Sequence, residues 1–456
     1  MSSIENEFRA ILGDSGVLTG ADVLARSCDP FRAVPPGRAL LLRPASTEGL
    51  SRLMAVCHRR GQRVVIHGGR TGVAGGAYSS ADEIIVSLER MNRIELICPE
   101  TQLADVEAGV PLEALQTEAA RHGLFYPVDL GSKGSATIGG TIATNAGGNR
   151  VLRWGMTRQN VLGLEAVLAD GTIVSAMNHL VKNNTGYDLK QLLIGTEGTI
   201  GVVTRAVMRL VPAPTSHAAA FVAVASHQQL LQLLACARRL MTLSAFEVMW
   251  PDYYDLVANS NTKRRPLEPG CAAYVLIEAM GYQPAIDQQL FDAFLEEAYA
   301  AGLIADAVVA TSGQQIADLW RVREAAPVLV AALSPFVSFD ISVDVREVEH
   351  FMAEARAALS RRYSVVGTAT FGHLGDNNIH IAAHVGPDTL AEEANVERIV
   401  FDVLRGYGGA ITAEHGIGQT KRTFLPEHRS QAEMAMMRDL RSAMDPSRLL
   451  NRDVLF

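Results

Sequence analysis

The sequence contains no apolar run approaching the ~20 residues that a membrane-crossing helix requires. Its start, MSSIENEFRA, lacks a basic stretch followed by an apolar one, so no secretory signal is expected. Cysteine is scarce. Cys28, Cys57, Cys98, Cys236 and Cys271 are scattered, and no CxxC pair occurs. That excludes a cysteine-built zinc or iron–sulfur centre and suggests reduced thiols in a cytoplasmic protein. Positive charge is also short. Lys and Arg number 41 against 49 Asp and Glu, a formal charge of -8, so nucleic acid is not expected as the main partner. Repeats and low-complexity tracts are missing as well. What is present is a composition 48% hydrophobic, close to the globular average, in 456 residues. That length exceeds one ordinary core and predicts a multi-domain protein, an enzyme in the first instance.

Glycine and short apolar runs organise the first half. ALLLRPAS and QRVVIHGG read as strands on either side of the helix-like TEGLSRLMAVCHRRG. The second strand runs directly into a glycine loop, HGGRTGVAGGA, at 67–77. Strands are expected at Glu83–Leu88, Ile94–Ile97 and Gln102–Ala108, with a helix at Leu112–His122 stopped by Gly123. Strands near Gly163–Leu168 and Thr172–Ser175 flank the hairpin dipeptide Asp170-Gly171. The pattern loosens at PAPTSHAAA, which sets a domain boundary near 213. Beyond it, strands Ala218–Val224 and Ala272–Ala279 alternate with amphipathic helices Gln228–Met241 and Ile286–Ala301. This pattern suggests an α+β sheet with helices on one side.

Two glycine-rich stretches are candidate ligand loops. Glycines at 68–76 would let backbone amides approach a phosphate. The order GGxxGxxGG is neither a Walker loop nor the dinucleotide fingerprint, so a plain structural turn stays open for this stretch alone. In the second stretch, Gly139, Gly140, Gly147 and Gly148 surround Thr141, Thr144 and Asn145. Small and hydroxyl-bearing residues over so long a stretch predict a loop laid along an extended anionic ligand.

A third group carries chemistry. TFGHLGDNNIHIAAH at 370–384 reads as a hairpin that would bring His373 and His380 together. Glu414-His415 lies in a second polar, glycine-bounded stretch, GGAITAEHGIGQTKR at 408–422. Two His and a carboxylate form a facial ligand set for a divalent metal; satisfied core or surface histidines are the alternative. Arg321 and Arg323 in LWRVREAA are candidate carboxylate partners, or solvated helix charges.

Six segments taken together are more specific: HGGRTGVAGG (67–76), PVDLGSKGSATIGGTIATNAGG (127–148), NNTGYDLKQLLIGTEGTIG (183–201), GHLGDNNIH (372–380), TAEHGIGQTKR (412–422) and DPSRLLN (445–451). In this order they resemble flavoproteins of the vanillyl-alcohol oxidase/p-cresol methylhydroxylase type over nearly the whole chain. Within that type the sequence looks most like the D-2-hydroxyacid dehydrogenases, near the members acting on D-2-hydroxyglutarate and D-lactate.

The resemblance implies an α+β fold. A helical segment at 1–34 would precede a two-part FAD-binding domain at 35–213. A C-terminal α+β substrate- and metal-binding domain at 214–456, an antiparallel sheet with helices, would return its last segment to the flavin. FAD would then meet His67, Gly68, Gly69, Arg70, Thr71 and Gly72 in the first loop. In the second stretch it would meet Pro127, Asp129, Leu130, Ser135, Ala136, Thr137, Gly139, Gly140, Ala143, Thr144, Asn145, Gly147 and Gly148. Glu197, Gly198, Gly201, Val202 and Asn451 complete the implied cofactor contacts. Some relatives attach FAD through a His where Thr71 stands, so non-covalent FAD is expected here.

The same resemblance implies that His373, His380 and Glu414 bind zinc, with manganese as the alternative. His415 would be the general base, and Arg323 would hold the substrate carboxylate. The implied reaction sends the hydroxyl proton of a 2-hydroxy acid to His415 and the C2 hydride to the flavin.

This sequence departs from the pattern at several points. His67 and Arg70 stand where the family more often has Arg and Asn. Ser338 and Ala382 replace a Lys and an Asn of the hydroxyglutarate-acting members, which leaves room for D-lactate or a bulkier acid. His384 shares a strand face with His380 and Ala382; a pocket position and a surface position are both open. The expected electron acceptor is a soluble electron-transfer flavoprotein or a quinone. The oligomeric state is left open, a homodimer included. Other readings are a flavoprotein oxidase of the same fold with different chemistry, or a non-catalytic flavin subunit of a larger complex.

Overall fold

A computed structural model describes residues 3–260 and 265–456. The chain forms two compact bodies. One comprises residues 1–148, 155–213 and 414–456; the other comprises 149–154 and 214–413.

The first body is built on two sheets. In one, Leu40–Leu42, Glu83–Ser87 and Arg63–His67 run parallel, and Val17–Thr19 pairs antiparallel with Leu40–Leu42. The 1–34 stretch, expected to be helical, therefore also supplies a strand. Helices Ser3–Leu12 and Ala21–Leu24 flank it. The strand forms because Val17 and Leu18 complete a sheet edge, a partner that local sequence does not reveal.

Helix Thr47–Arg60 starts at Ser46, whose side chain accepts from the Gly49 N–H, and ends at Gly61 with φ 61. Its buried face includes Leu50, Leu53, Met54 and Cys57. The second sheet is antiparallel, in the order Ile94–Cys98, Leu103–Glu107, Val202–Arg209, Val161–Val167, Ile173–Ala176. One apolar core joins both sheets and includes Leu53, Ile84, Val106, Ile142 and Leu450.

The chain's last segment is tied into this body. Val64 donates to the Leu449 carbonyl at 2.9 Å, and Asn451 donates back to the Val64 carbonyl at 3.0 Å. Residues 449–451 thus lie along the edge beside Arg63–His67; the expected return of the last segment holds, and 414–456 group with the first body although the boundary expected at 214 sets them in the second.

The second body carries one seven-stranded antiparallel sheet. Its order is Asp306–Val309, Ser216–Val224, Ala273–Gly281, Leu243–Met249, Gly367–His373, Asn378–His384, Val337–Ser342. Helices cover both faces, not one. Tyr253 and Tyr254 of helix Pro251–Asn259 pack on Phe371, Phe221 and Tyr274. Phe401 of helix Glu393–Gly406 packs on Phe339, which points the opposite way. The cause is legible in the strands: Ala273–Gly281 is buried at every position, so each face needs a cover.

The stretch 136–148 also departs from expectation. The expected ligand loop contains a helix, Ile138–Thr144. Thr137 caps it by accepting from the Gly140 N–H, and Asn145 ends it with φ 52. A good cap and a left-handed Asn stop outweigh the poor helix propensity of Gly and Thr.

Candidate active site

The first body contains a groove of about 320 Å³, of the size that holds a small ligand. Its walls come from the first glycine loop, the second stretch and the segment 193–203. Gly68, Gly69, Arg70, Thr71 and Gly72 line it. So do Leu130, Ala136, Thr137, Gly139, Gly140, Ala143 and Thr144. Glu197, Gly198, Gly201, Val202 and Asn451 close it, and Glu414 and His415 also face it.

The glycines have different jobs. A Cβ at Gly69 would lie 2.0 Å from the Ser135 carbonyl oxygen, and one at Gly68 would lie 2.6 Å from Thr137 Oγ1. These two positions let the loops touch. A Cβ on Gly72 or Gly131 would meet nothing within 4 Å, so backbone there is open to a ligand. Arg70 takes φ 57 beside them, a conformation the Asn more usual in the family adopts more readily. Exposed backbone, small side chains and an Arg are a donor set that fits a dinucleotide.

Seven expected cofactor residues, His67, Pro127, Asp129, Ser135, Asn145, Gly147 and Gly148, are outside the groove lining. Five of them have other visible work. His67 is 2% exposed and bonds the Ala77 carbonyl through Nε2 at 2.9 Å. Burial depresses its imidazole to about 4, so it is neutral at pH 7 and Nε2 carries the proton. Asp129 pairs with Lys133. Ser135 supplies the carbonyl under Gly69, and Asn145 caps its helix and accepts from the Arg158 N–H. Gly148, at φ 93, packs on the Asp129 carbonyl and donates its N–H to Glu414 Oε2 at 2.9 Å. Pro127 and Gly147 lie on the same stretch.

Glu197 anchors the wall. Its carboxylate accepts from the N–H groups of Ile417 and Gly418, each at 2.8 Å. Its own carbonyl accepts from Asn451 Nδ2 at 2.6 Å. Burial raises the Glu197 carboxyl, and those two amides only partly offset it.

In the second body the expected hairpin forms, with Phe371 opposite His380 and His373 opposite Asn378. The register places Glu247 opposite His373, and Asp340 opposite His380. All four side chains therefore rise from one sheet face. The two imidazole rings are 5.3 Å apart and almost perpendicular, at 83°. Glu247 Oε1 is 2.7 Å from His373 Nδ1, and its Oε2 accepts from Arg323 Nε at 2.7 Å. Burial alone would raise the Glu247 carboxyl, but His373 and Arg323 outweigh it and hold it below its ordinary value. Asp340 Oδ1 lies 3.6 Å from His380 Nδ1. Asp340 Oδ2 accepts from Thr412 Oγ1 at 3.1 Å and from the Ala413 N–H at 3.2 Å.

The two candidate arginines part company here. Arg323 is 6% exposed and stacks 4.8 Å over Phe371. Arg321 is exposed and pairs with Asp318, one helical turn away. Ala382 is buried and lies opposite both Ala369 and Ser338. His384 Nδ1 bonds the Pro335 carbonyl at 2.7 Å.

Three carboxylates escaped the sequence reading: Glu247, Asp340 and Glu278. Glu278 is wholly buried and accepts from Ser244, Trp320, Arg150 and His217. Burial raises its carboxyl, but the Arg150 charge and the His217 bond prevail and keep it ionised. Each of the three is the one charged residue of its strand, as in LSAFEVM, VSFDIS and AYVLIEAMG, and that was the available signal.

Comparison with known proteins gives the family. Residues 38–176 match a family described as "FAD binding domain", and 213–455 match "FAD linked oxidases, C-terminal domain". A D-2-hydroxyglutarate dehydrogenase from Xanthomonas citri pv. viticola is 36% identical over 96% of this chain and 93% of its own. The chain belongs to the FAD-linked oxidases, among the D-2-hydroxyacid dehydrogenases. A mitochondrial D-2-hydroxyglutarate dehydrogenase from Danio rerio is 35% identical over 97% of this chain and 83% of its own. As a member of this family the protein is an enzyme with FAD as cofactor, oxidising a 2-hydroxy acid. Its fold is that of p-cresol methylhydroxylase, solved with substrate bound, at a TM-score of 0.77 and 16% identity over 99% of this chain and 96% of that one. Among the described residues no helix is long and apolar enough to cross a membrane.

Proposed function

We propose that this protein oxidises a D-2-hydroxy acid to the 2-oxo acid with a divalent metal, zinc or manganese, besides its FAD. The observation that carries this reading is the pair His373 and His380. His373 bonds buried Glu247 through Nδ1 at 2.7 Å, and His380 Nδ1 lies 3.6 Å from buried Asp340, on the sheet face where Arg323 stacks over Phe371. An imidazole that donates Nδ1 to a carboxylate suits metal ligation because its lone pair then sits on Nε2. Bound FAD supplies the hydride acceptor, and the metal supplies positive charge for the substrate's hydroxyl and carboxylate oxygens.

The chain's residues then divide the remaining work. His373, His380 and Glu414 are the ligands. His415 accepts the hydroxyl proton. Arg323 spends Nε on Glu247 and sets Nη2 3.5 Å from His373 Nε2, so Nη1 is the group left for a substrate carboxylate. FAD is held without a covalent bond, since Thr71 offers no ordinary attachment chemistry.

The acid is a monocarboxylate in this reading. Ser338 and Ala382 give a distal carboxylate no cationic partner, and burying an unpaired carboxylate is costly. The protein works in the cytoplasm, where its five free thiols stay reduced, and passes electrons to electron-transfer flavoprotein or a quinone.

Anaerobic flavin bleaching with a panel of D- and L-2-hydroxy acids, with and without chelator, tests the reaction. Bleaching by D-acids alone, abolished by chelation and by His380→Ala, is expected. Full turnover in a metal-free His380→Ala variant would remove the metal from the mechanism. For substrate choice, kcat/KM near neutral pH should be at least as high for D-lactate as for D-2-hydroxyglutarate. A preference of about 10³-fold for the dicarboxylate would sink the monocarboxylate reading.

A further inference from the structure

We infer that Glu247 is a positioning residue: it fixes which nitrogen of His373 carries the proton and so keeps the ring's lone pair on Nε2, the nitrogen a metal would take. The inference rests on the reading of His373 as a metal ligand.

Glu247 is 1% exposed and sits one strand from His373, directly opposite it in register. Its two oxygens serve two donors. Oε1 faces His373 Nδ1 and Oε2 faces Arg323 Nε, both at 2.7 Å. An ionised carboxylate can only accept, so Nδ1 must bear the hydrogen and the neutral ring must carry its lone pair on Nε2. The other side of the ring agrees. Arg323 Nη2, which can only donate, lies 3.5 Å from Nε2.

No other side chain of this shape could do the same. Arg323 has no lone pair to offer, so whatever replaces Glu247 must accept from it. A glutamine has one accepting oxygen and one donating amide. With its oxygen on Arg323, the amide faces His373 Nδ1, and the ring answers by moving its proton to Nε2. The same substitution that keeps volume therefore closes the ligating nitrogen. Aspartate keeps both accepting oxygens on a shorter stem and preserves the tautomer at a longer reach.

Glu247→Gln and Glu247→Asp test this in the full-length, FAD-loaded protein. Zinc affinity is read by competition with a chelating dye, flavin per chain by absorbance, and folding by thermal unfolding. Glu247→Gln should weaken zinc by about 10–100-fold with flavin content unchanged, and Glu247→Asp should recover part of the loss. Equal zinc affinity in wild type and Glu247→Gln overturns the inference. Wild type that binds zinc no better than His380→Ala overturns the metal reading itself, which is a separate result. Should Glu247→Gln fail to fold, nitrogen NMR of metal-stripped wild type decides, with His373 assigned from a His373→Gln spectrum. A proton on Nδ1 is expected; a proton on Nε2 refutes the inference.

Discussion

The imidazole of His67 titrates in a way the unfolded chain cannot copy. Burial depresses it to about 4, against about 6.5 for a free imidazole. Above pH 6.5 both states are neutral and the residue contributes nothing to pH dependence. Between pH 6.5 and 4 the unfolded chain binds a proton that the folded one refuses, so stability falls as pH falls. The full loss is on the order of 3 kcal/mol, complete below pH 4. Unfolding midpoints of wild type and His67→Gln should therefore diverge in slope across this window. Parallel curves would show that the site tolerates the charge. His415 is used differently, facing the groove. His415→Asn should keep flavin and metal and lose about 10²–10⁴-fold in flavin reduction rate. An unchanged rate at neutral pH would put the base elsewhere.

Single elements set the groove's shape through backbone contacts. The 68–72 loop touches the 135–137 turn only because Gly69 has no side chain. Gly69→Ala forces a methyl to within 2.0 Å of a carbonyl oxygen, and overpacking of that kind costs about 1–3 kcal/mol or more. Gly72→Ala meets no protein atom, so its methyl projects into open space on the groove wall. Thermal unfolding should drop for Gly69→Ala and hold for Gly72→Ala, whereas flavin retention on desalting should fall for both. A Gly72→Ala protein with wild-type flavin affinity would place the cofactor away from this loop. The hairpin obeys the same rule. A Cβ at Gly372 would lie 2.3 Å from the Asn378 carbonyl, so the glycine between Phe371 and His373 lets the two strands close.

Over the whole molecule, the cofactor residues and the two imidazoles belong to different bodies. The groove belongs to the first, with Glu414 on its wall, and His373 and His380 to the second. The groove's phosphate donors are backbone amides and Arg70, none of them a proposed metal ligand, so loss of the metal should leave FAD in place. Chelation is expected to abolish substrate reduction of the flavin while the protein stays yellow through desalting. Release of FAD on chelation would show that the metal holds the cofactor. Acid precipitation should send the flavin into the supernatant, because Thr71 cannot anchor it; flavin left on the pellet would refute the non-covalent assignment.

How much of this could be read from the chain depends on distance along it. The hairpin carrying His373 and His380 was legible because strand alternation and a short polar turn are local. So was the stop at Gly123, which has φ 68, and the Asp170-Gly171 turn, where Gly171 has φ 93. The glycine loop at 68–72 and the break near 213 were equally plain in composition. The helix at Ile138–Thr144 was misjudged because its cap and stop, Thr137 and Asn145, prevail over glycine-rich composition. The rest depended on partners far away in sequence. Glu247 meets Arg323 across 76 residues and His373 across 126, and packing alone chooses such partners. The return of the last segment was implied by the resemblance, but the strand it joins, at Val64 through Leu449 and Asn451, was not. Periodicity and turn chemistry act within about one turn or strand and so are written in the sequence. Which buried carboxylate faces which imidazole is settled only when the sheet takes its register, and that is a property of the folded chain.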